Sequence, residues 1–315
     1  MPDSSNSYQT VIDHLWNALN QELSSESVVL KDEPLAKKTT WRVGGSSDIY
    51  VTPSDEASLQ SVMRLCTKSH VNTFVLGRGS NVLVRDGGFR GVTISLTHPY
   101  FQRVEMEDEL IWAGAGARQK DVALFARKSG LAGFEFLEGI PGSIGGGLRM
   151  NAGAMGMEMF DRVQLIRVLR PDGEIVNLAR NQIEAHYRRC PLLEDHLALG
   201  AWFNGSKDSP EAIAERMRVY SEKRWASQPA ASSAGCVFKN PDSMPAGKLV
   251  DELGLKGLRV GGACVSDVHG NFIVNDQKAT ANDILNLIAK IQKIAIDQRG
   301  VQLLTEIKVV GEDAI

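Results

Sequence analysis

The chain has 315 residues, 43% hydrophobic and 23% charged, the profile of a soluble globular protein with room for two or three domains. Its formal net charge of −3 excludes the basic excess of a broad nucleic-acid footprint, while small acidic ligands, which need only local arginines and lysines, stay open. No run approaches the roughly 18 apolar residues of a membrane span, and "MPDSSNSYQT" lacks the basic-then-apolar order of a secretory signal. Cys66, Cys190, Cys236 and Cys264 are too dispersed for a zinc site or a disulfide framework, so no metal and a reducing cytoplasmic location are expected.

Near the N-terminus, Tyr8, Val11, Ile12, Leu15, Trp16, Leu19 and Leu23 recur at helical spacing and predict an amphipathic helix with one buried stripe. From Asp48 to about Leu199, β-rich runs such as "NTFVLG", "GVTISL", "ELIWAG" and "VQLIRVLRPDGEIVNL" alternate with glycine turns and a few helices. Within the last run, "RPDGE" signals a hairpin, because Asp-Gly tolerates the positive φ of a tight turn. Asp208 or Ser209 then serves as N-cap, with Pro210 in the first turn, for a helix running to about Trp225. Thr280 and Asp283 form a capping-box start for a helix whose apolar face is Ile284, Leu287, Ile288, Ile291 and Ala295, closed by Gly300. A last strand, "QLLTEIKVVG", ends an α+β chain: a helical extension over 1–30, a body over 31–208 and a smaller α+β unit over 209–315.

Thirty glycines exceed the usual share of about 7%. They concentrate in "LGRGSNVLVRDGGFRG" (Leu76 to Gly91) and "LEGIPGSIGGGLRMNAGAMG" (Leu137 to Gly156). Such density lets backbone N–H groups approach a polyanion, although ordinary tight turns look the same in a sequence. A dinucleotide fingerprint beginning at Gly77 and Gly79 fails at Val82, "GIPGSIGGG" has the wrong spacing, and no Gly-Lys-Ser/Thr follows either loop. Any nucleotide is therefore held by another architecture.

The motifs "PLAKKTTWRVGGSSDIYVTP", "LGRGSNVLVRDGGFRG", "GFEFLEGIPGSIGGG", "NAGAMG", "YRRC", "SAGCVFKNP", "GKLVDELGLKGLRVGGACVSDVHGNFIVN" and "LLTEIKVVG" occur in order from about Lys31 to Gly311. Together the chain resembles the UDP-N-acetylenolpyruvoylglucosamine reductase family, in its shorter, type II form. The resemblance implies an FAD-binding PCMH-type (vanillyl-alcohol-oxidase-like) body of two α+β subdomains and a C-terminal substrate-binding domain. It implies noncovalent FAD reduced by NADPH. It also implies reduction of the enolpyruvyl ether of UDP-N-acetylglucosamine to UDP-N-acetylmuramate, a peptidoglycan-precursor step. A monomer or weak oligomer is expected.

Hydride delivery to a vinyl ether leaves charge on the neighbouring carbon and carboxylate, which calls for a fixed cation, a hydrogen-bonding acid and a proton donor. Arg188 in "HYRRC" matches the family's catalytic arginine, and its guanidinium suits a carboxylate; adjacent Arg189 reads as a surface ion pair. Glu306 matches the catalytic glutamate, in a terminal strand. Cys236 stands where the family has serine. Its local sequence leaves filler, ligand, nucleophile and donor open, but a thiol of reference pKa about 8.5 fits the family's proton-donor role. Cys190 replaces a usual serine and Gly270 a frequent alanine. The resemblance places FAD on Gly77, Gly79, Ser80 and Asn81, on Gly142, Ser143 and Gly145, and near Arg42, Asn151 and Gly153. It places the nucleotide sugar on Tyr220, Arg224, Lys239, Asn240 and Lys248. Rival readings are another flavin oxidase of the same fold and a noncatalytic nucleotide-sugar-binding protein.

Overall fold

The N-terminal stripe folds as helix Ser4–Glu22 in a computed structural model that describes residues 4–314. Ile12, Leu15 and Leu19 are buried, whereas Tyr8 and Val11, expected in the stripe, lie at its edge. Tyr8 instead uses its hydroxyl, which donates to Asp48 Oδ2 at 2.8 Å. The contacts divide the chain into two compact units. One comprises Met1–Lys31, Asp48–Arg78 and Gly91–Glu222; the other comprises Asp32–Ser47, Gly79–Arg90 and Lys223–Ile315.

The first unit has two apolar cores. In one, the N-terminal helix packs with Leu59, Val62 and Leu65 of helix Glu56–Lys68, and with Ile49, Val51, Val92 and Ile94 from the sheet. Asp55 caps that second helix, accepting the Ser58 N–H at 2.7 Å. Strand Thr73–Val75 runs parallel to Val92–Ile94. The other core lies under a five-stranded sheet in the order Ile175–Ala179, Val163–Leu169, Leu197–Phe203, Leu110–Gly114, Val104–Glu107. Ile111, Ile166, Val168 and Phe203 of its strands meet Val122, Phe136 and Leu148 beneath. The "RPDGE" hairpin forms as expected, with Gly173 at φ 90° and the Arg170 N–H donating to the Glu174 carbonyl at 2.8 Å.

In the second unit, a three-stranded antiparallel sheet (Arg259–Val260, Ala263–Val265, Ile273–Asn275) packs with helices Ala246–Glu252 and Ala281–Arg299. The expected apolar face of the last helix is buried, its capping box is made, and Gly300 closes it at φ 65°. Asp86 adds a second cap, its carboxylate accepting from the N–H groups of Ala281 and Asn282 at 2.8 and 2.9 Å. Trp41, Val43 and Leu83 belong to this core, and Trp41 Nε1 donates to the Ile273 carbonyl at 2.7 Å.

These units do not follow the expected boundaries at 30/31 and 208/209. The N-terminal helix shares a core with the body, and Trp41 and Leu83 carry their segments into the C-terminal core. Helix Pro210–Ser227 starts where expected, and Ile213 and Met217 are its buried residues. The last strand is shorter than predicted: only Lys308–Val310 is regular, parallel to Val82–Val84. Residues before it pair irregularly with the segment after Cys236. The Lys239 N–H donates to the Leu304 carbonyl at 2.8 Å and the Glu306 N–H to the Val237 carbonyl at 2.7 Å.

Candidate active site

In the first unit, the loop Gly142–Gly145 is held by backbone bonds on both sides. The Ile144 N–H donates to the Ala117 carbonyl at 2.9 Å, and the Gly145 N–H to the Ala115 carbonyl at 2.8 Å. Ser143, buried, caps the short helix Ile144–Arg149, its Oγ accepting from the Gly146 N–H at 3.5 Å. Gly77 comes so close that a Cβ there would stand 2.8 Å from Ser143 Oγ. Gln119, 2% exposed, donates from Nε2 to the Ser143 carbonyl at 3.5 Å, and its Oε1 is buried with no hydrogen-bond partner among the described residues. A loop that side chains cannot cover, beside a buried orphaned acceptor that calls for an O–H or N–H donor, fits a bound cofactor carrying such groups.

Asn151 and Gly153, expected near the flavin, serve the fold of their own loop. Asn151 is 1% exposed, and its amide bonds to Glu158, the His186 carbonyl and the Phe160 N–H. Gly153 pairs with Glu158 in a tight hairpin, where a Cβ would stand 2.7 Å from the Met157 carbonyl.

Arg188 sits half-buried in a turn closed by the Arg189 N–H on the His186 carbonyl at 3.1 Å and by the return bond at 2.8 Å. Its φ of 58° puts an arginine where glycine or asparagine is usual, at a cost of about 1–2 kcal/mol. Its guanidinium carbon lies 4.8 Å from the centroid of the Tyr187 ring. Such strain persists only where the surroundings over-determine it, which marks the turn as a functional candidate. Arg189 is the expected surface pair, 2.7 Å from Glu194. Cys190 is fully buried in the core, where burial pushes its thiol up, and Cys66 is likewise a packing thiol, pushed up to about 12.

In the second unit, Gly79 is in the left-handed region at φ 63°, against the backbone of Lys38 and Thr39. Gly87 and Gly88, in the same glycine cluster, serve close backbone packing on Asp313 and Ser46. Arg42 is exposed at φ 60°, a second strained arginine, between buried Trp41 and Val43. Asn81 reaches the catalytic candidates: its Nδ2 donates to the Glu306 carbonyl at 3.3 Å, and its own carbonyl accepts the Lys308 N–H at 3.0 Å. Cys236 is half-buried and bridges Phe272 across an antiparallel pair. Phe238 pairs with Thr305 in the same segment, so Glu306 lies opposite Val237, one residue out of step with Cys236. Asn271, missed in the sequence, grips this segment. Its Oδ1 accepts from the Phe238 N–H and its Nδ2 donates to the Phe238 carbonyl, both at 2.8 Å.

The anchoring candidates divide. Tyr220 and Arg224, both half-buried, stand one turn apart on helix Pro210–Ser227. Lys239 is half-buried two residues after the cysteine's neighbour Val237. Asn240 caps helix Ala246–Glu252, its Oδ1 accepting from the Ala246 N–H at 3.0 Å. Lys248, exposed on that helix, stands 3.7 Å from Glu252.

Residues 228–310 match the model of the UDP-N-acetylenolpyruvoylglucosamine reductase C-terminal domain, and residues 47–179 match that of an FAD binding domain. A UDP-N-acetylenolpyruvoylglucosamine reductase of Geobacter metallireducens is 41% identical over 96% of this chain and 99% of its own length. The chain belongs to the UDP-N-acetylenolpyruvoylglucosamine reductase family. A reductase of the same name from Listeria welshimeri is 40% identical over 94% of the chain and its full length. The crystal structure of the Thermus caldophilus enzyme superposes with a TM-score of 0.78 at 34% identity, covering 90% of this chain and 99% of that one. The fold is thus the expected α+β one, with an FAD binding domain over 47–179 and a smaller C-terminal α+β part. Among the described residues, no helix is long and apolar enough to cross a membrane.

Proposed function

We propose that this chain reduces the enolpyruvyl ether of UDP-N-acetylglucosamine to UDP-N-acetylmuramate, a peptidoglycan-precursor step in the cytoplasm, as a monomer or weak oligomer. The observation that carries this reading is the match to the whole length of reductases bearing that name, in both the FAD-binding and the C-terminal parts. Gly77, Gly142, Ser143 and Gly145 would hold noncovalent FAD, with Gly79 and Ser80 shaping the other loop and Arg42 nearby, and FAD bound there would supply hydride transfer from NADPH to the vinyl carbon.

Every remaining step falls to the protein's side chains. Arg188 meets the substrate carboxylate, so that the charge developing along the enolate is opposed by a fixed guanidinium. Glu306, acting as a neutral carboxyl, donates a hydrogen bond to the same developing charge. Cys236 Sγ gives its proton to the carbon next to the carboxylate, and the resulting thiolate is reprotonated from solvent. Tyr220, Arg224 and Lys239 are proposed to hold the diphosphate and sugar; Asn240 would shape that loop through its helix cap, and Lys248 would exchange Glu252 for the anion. A division of labour follows: an FAD-binding part within 31–208 and a substrate-binding part from 209 onward.

The test separates the two half-reactions. Arg188→Lys and Glu306→Gln should leave NADPH reduction of the flavin near the wild-type rate and slow its reoxidation by the enolpyruvyl nucleotide by about 10²–10³. A colourless protein, or reduction that collapses while reoxidation stays normal, would refute the assignment.

A further inference from the structure

The strained turn that carries Arg188 is fastened from beneath by one side chain. Asn151 lies in the left-handed region at φ 40° and is 1% exposed. Its Nδ2 donates to Glu158 Oε2 at 2.6 Å and to the His186 carbonyl at 3.2 Å, while its Oδ1 accepts the Phe160 N–H at 3.1 Å. Both amide hydrogens are therefore engaged inside the protein. The His186 carbonyl is the same one that accepts the Arg189 N–H and closes the turn. On the far side, the Cys190 N–H donates to the Arg149 carbonyl at 3.1 Å, with its thiol buried. Arg188 thus stands between two anchored residues.

We infer that Asn151 is a positioning residue for Arg188, not a contact of the flavin. Its amide holds the His186 carbonyl where the turn must keep Arg188 at positive φ, and so fixes where the guanidinium enters the site. The inference rests on the reading that Arg188 meets the substrate carboxylate. Without the amide the turn can relax, and a misplacement of about 1 Å in a group that orients substrate costs on the order of 10²-fold.

Asn151→Gly tests this cleanly, because glycine accepts the left-handed backbone while the side-chain bonds vanish. Asn151→Asp, which keeps the acceptor for Phe160 and turns an oxygen toward Glu158 and the His186 carbonyl, serves as a second variant should the first fail to fold. Both should retain full flavin absorbance and a normal rate of reduction by NADPH, and lose about 10²-fold in reoxidation by the enolpyruvyl nucleotide. Hydrogen exchange of the Arg189 amide should speed up. In Arg188→Ala the reoxidation is already slow, and adding Asn151→Gly should slow it little further, because Asn151 acts through the arginine. Fully additive losses in that double variant, or flavin lost from the Asn151 variants, would overturn the inference while leaving Arg188 its role. Normal reoxidation in Arg188→Ala alone would remove the reading on which it rests, and the inference with it.

Discussion

Replacing Gly79 by alanine tests whether the first glycine loop needs close backbone approach or merely a flexible turn. Two costs add at this position. The φ of 63° is unfavourable for alanine by about 1–2 kcal/mol. A Cβ would also lie 2.5 Å from the Lys38 carbonyl oxygen and 2.6 Å from Thr39 Cα, main-chain atoms that cannot swing aside, which costs about 1–3 kcal/mol more. Moving the loop away is no escape, because the Gly79 carbonyl accepts from both Thr40 N and Thr40 Oγ1 at 3.2 Å. Gly156 is the control: its φ is 81°, but nothing lies within 4 Å of its would-be Cβ, so alanine there meets only the first cost. At roughly 2–4 °C per kcal/mol, Gly79→Ala should melt about 2–12 °C below Gly156→Ala. It should also purify with depleted flavin. Differential scanning calorimetry and the flavin absorbance of the purified variants measure both. Equal melting temperatures with full flavin in Gly79→Ala would refute the packing and the cofactor role together.

Cys236→Ser should keep substantial turnover, whereas Cys236→Ala should lose about 10²–10⁴ of it. Near-wild-type turnover in the alanine variant would return Cys236 to the status of a packing residue. Gly270→Ala, which restores the residue frequent in the family, should destabilise this chain by about 1–3 kcal/mol, because its Cβ would lie 2.5 Å from the Gly247 carbonyl; an unchanged urea midpoint would contradict the observed approach. Burial, reinforced by Lys256, holds the His269 imidazole below the usual histidine range. The unfolded chain therefore takes up a proton near pH 6.5 that the folded chain refuses until lower pH. That contribution to stability is complete above about pH 6.5 and is lost as pH falls below it, so His269→Gln should flatten the drop in urea midpoint between pH 7.5 and 5.5. An unflattened drop would mean that the imidazole takes up its proton equally in both states.

Elements whose signal is local were legible. The stripe of Ile12, Leu15 and Leu19, the Thr280–Asp283 box and the Asp-Gly hairpin each lie within a few residues, where periodicity and turn chemistry act. The compact units were not, because the contacts that set them are distant in sequence. Trp41 reads as one apolar residue in a polar run, yet its indole bonds to Ile273 and its carbonyl accepts from Asn275 Nδ2 at 2.8 Å. The protein partners of Asn151 and Lys248 were hidden for a related reason. A buried asparagine and a solvated lysine look alike in a ligand-binding motif until their partners, Glu158 and Glu252, are in place.

A common device underlies the site. The three residues proposed to act on substrate stand outside the regular strands, on backbone paired only through isolated bridges, which leaves neighbouring peptide groups to side chains. In each case an asparagine fills the gap: Asn151 at the His186 carbonyl before Arg188, Asn81 at the Glu306 carbonyl, and Asn271 at both polar atoms of Phe238 beyond Cys236. Asparagine suits the task because its side-chain amide carries the donor and acceptor of a peptide unit on a short stem, so it can stand in for a missing strand. An aspartate would present only acceptors, and an alanine would leave buried backbone groups unpaired at about 1–3 kcal/mol each. Reactive side chains can therefore project from loops without those loops being loose. The fixing groups are neutral amides, and they add no charge that would compete with the guanidinium, carboxyl and thiol they hold in place.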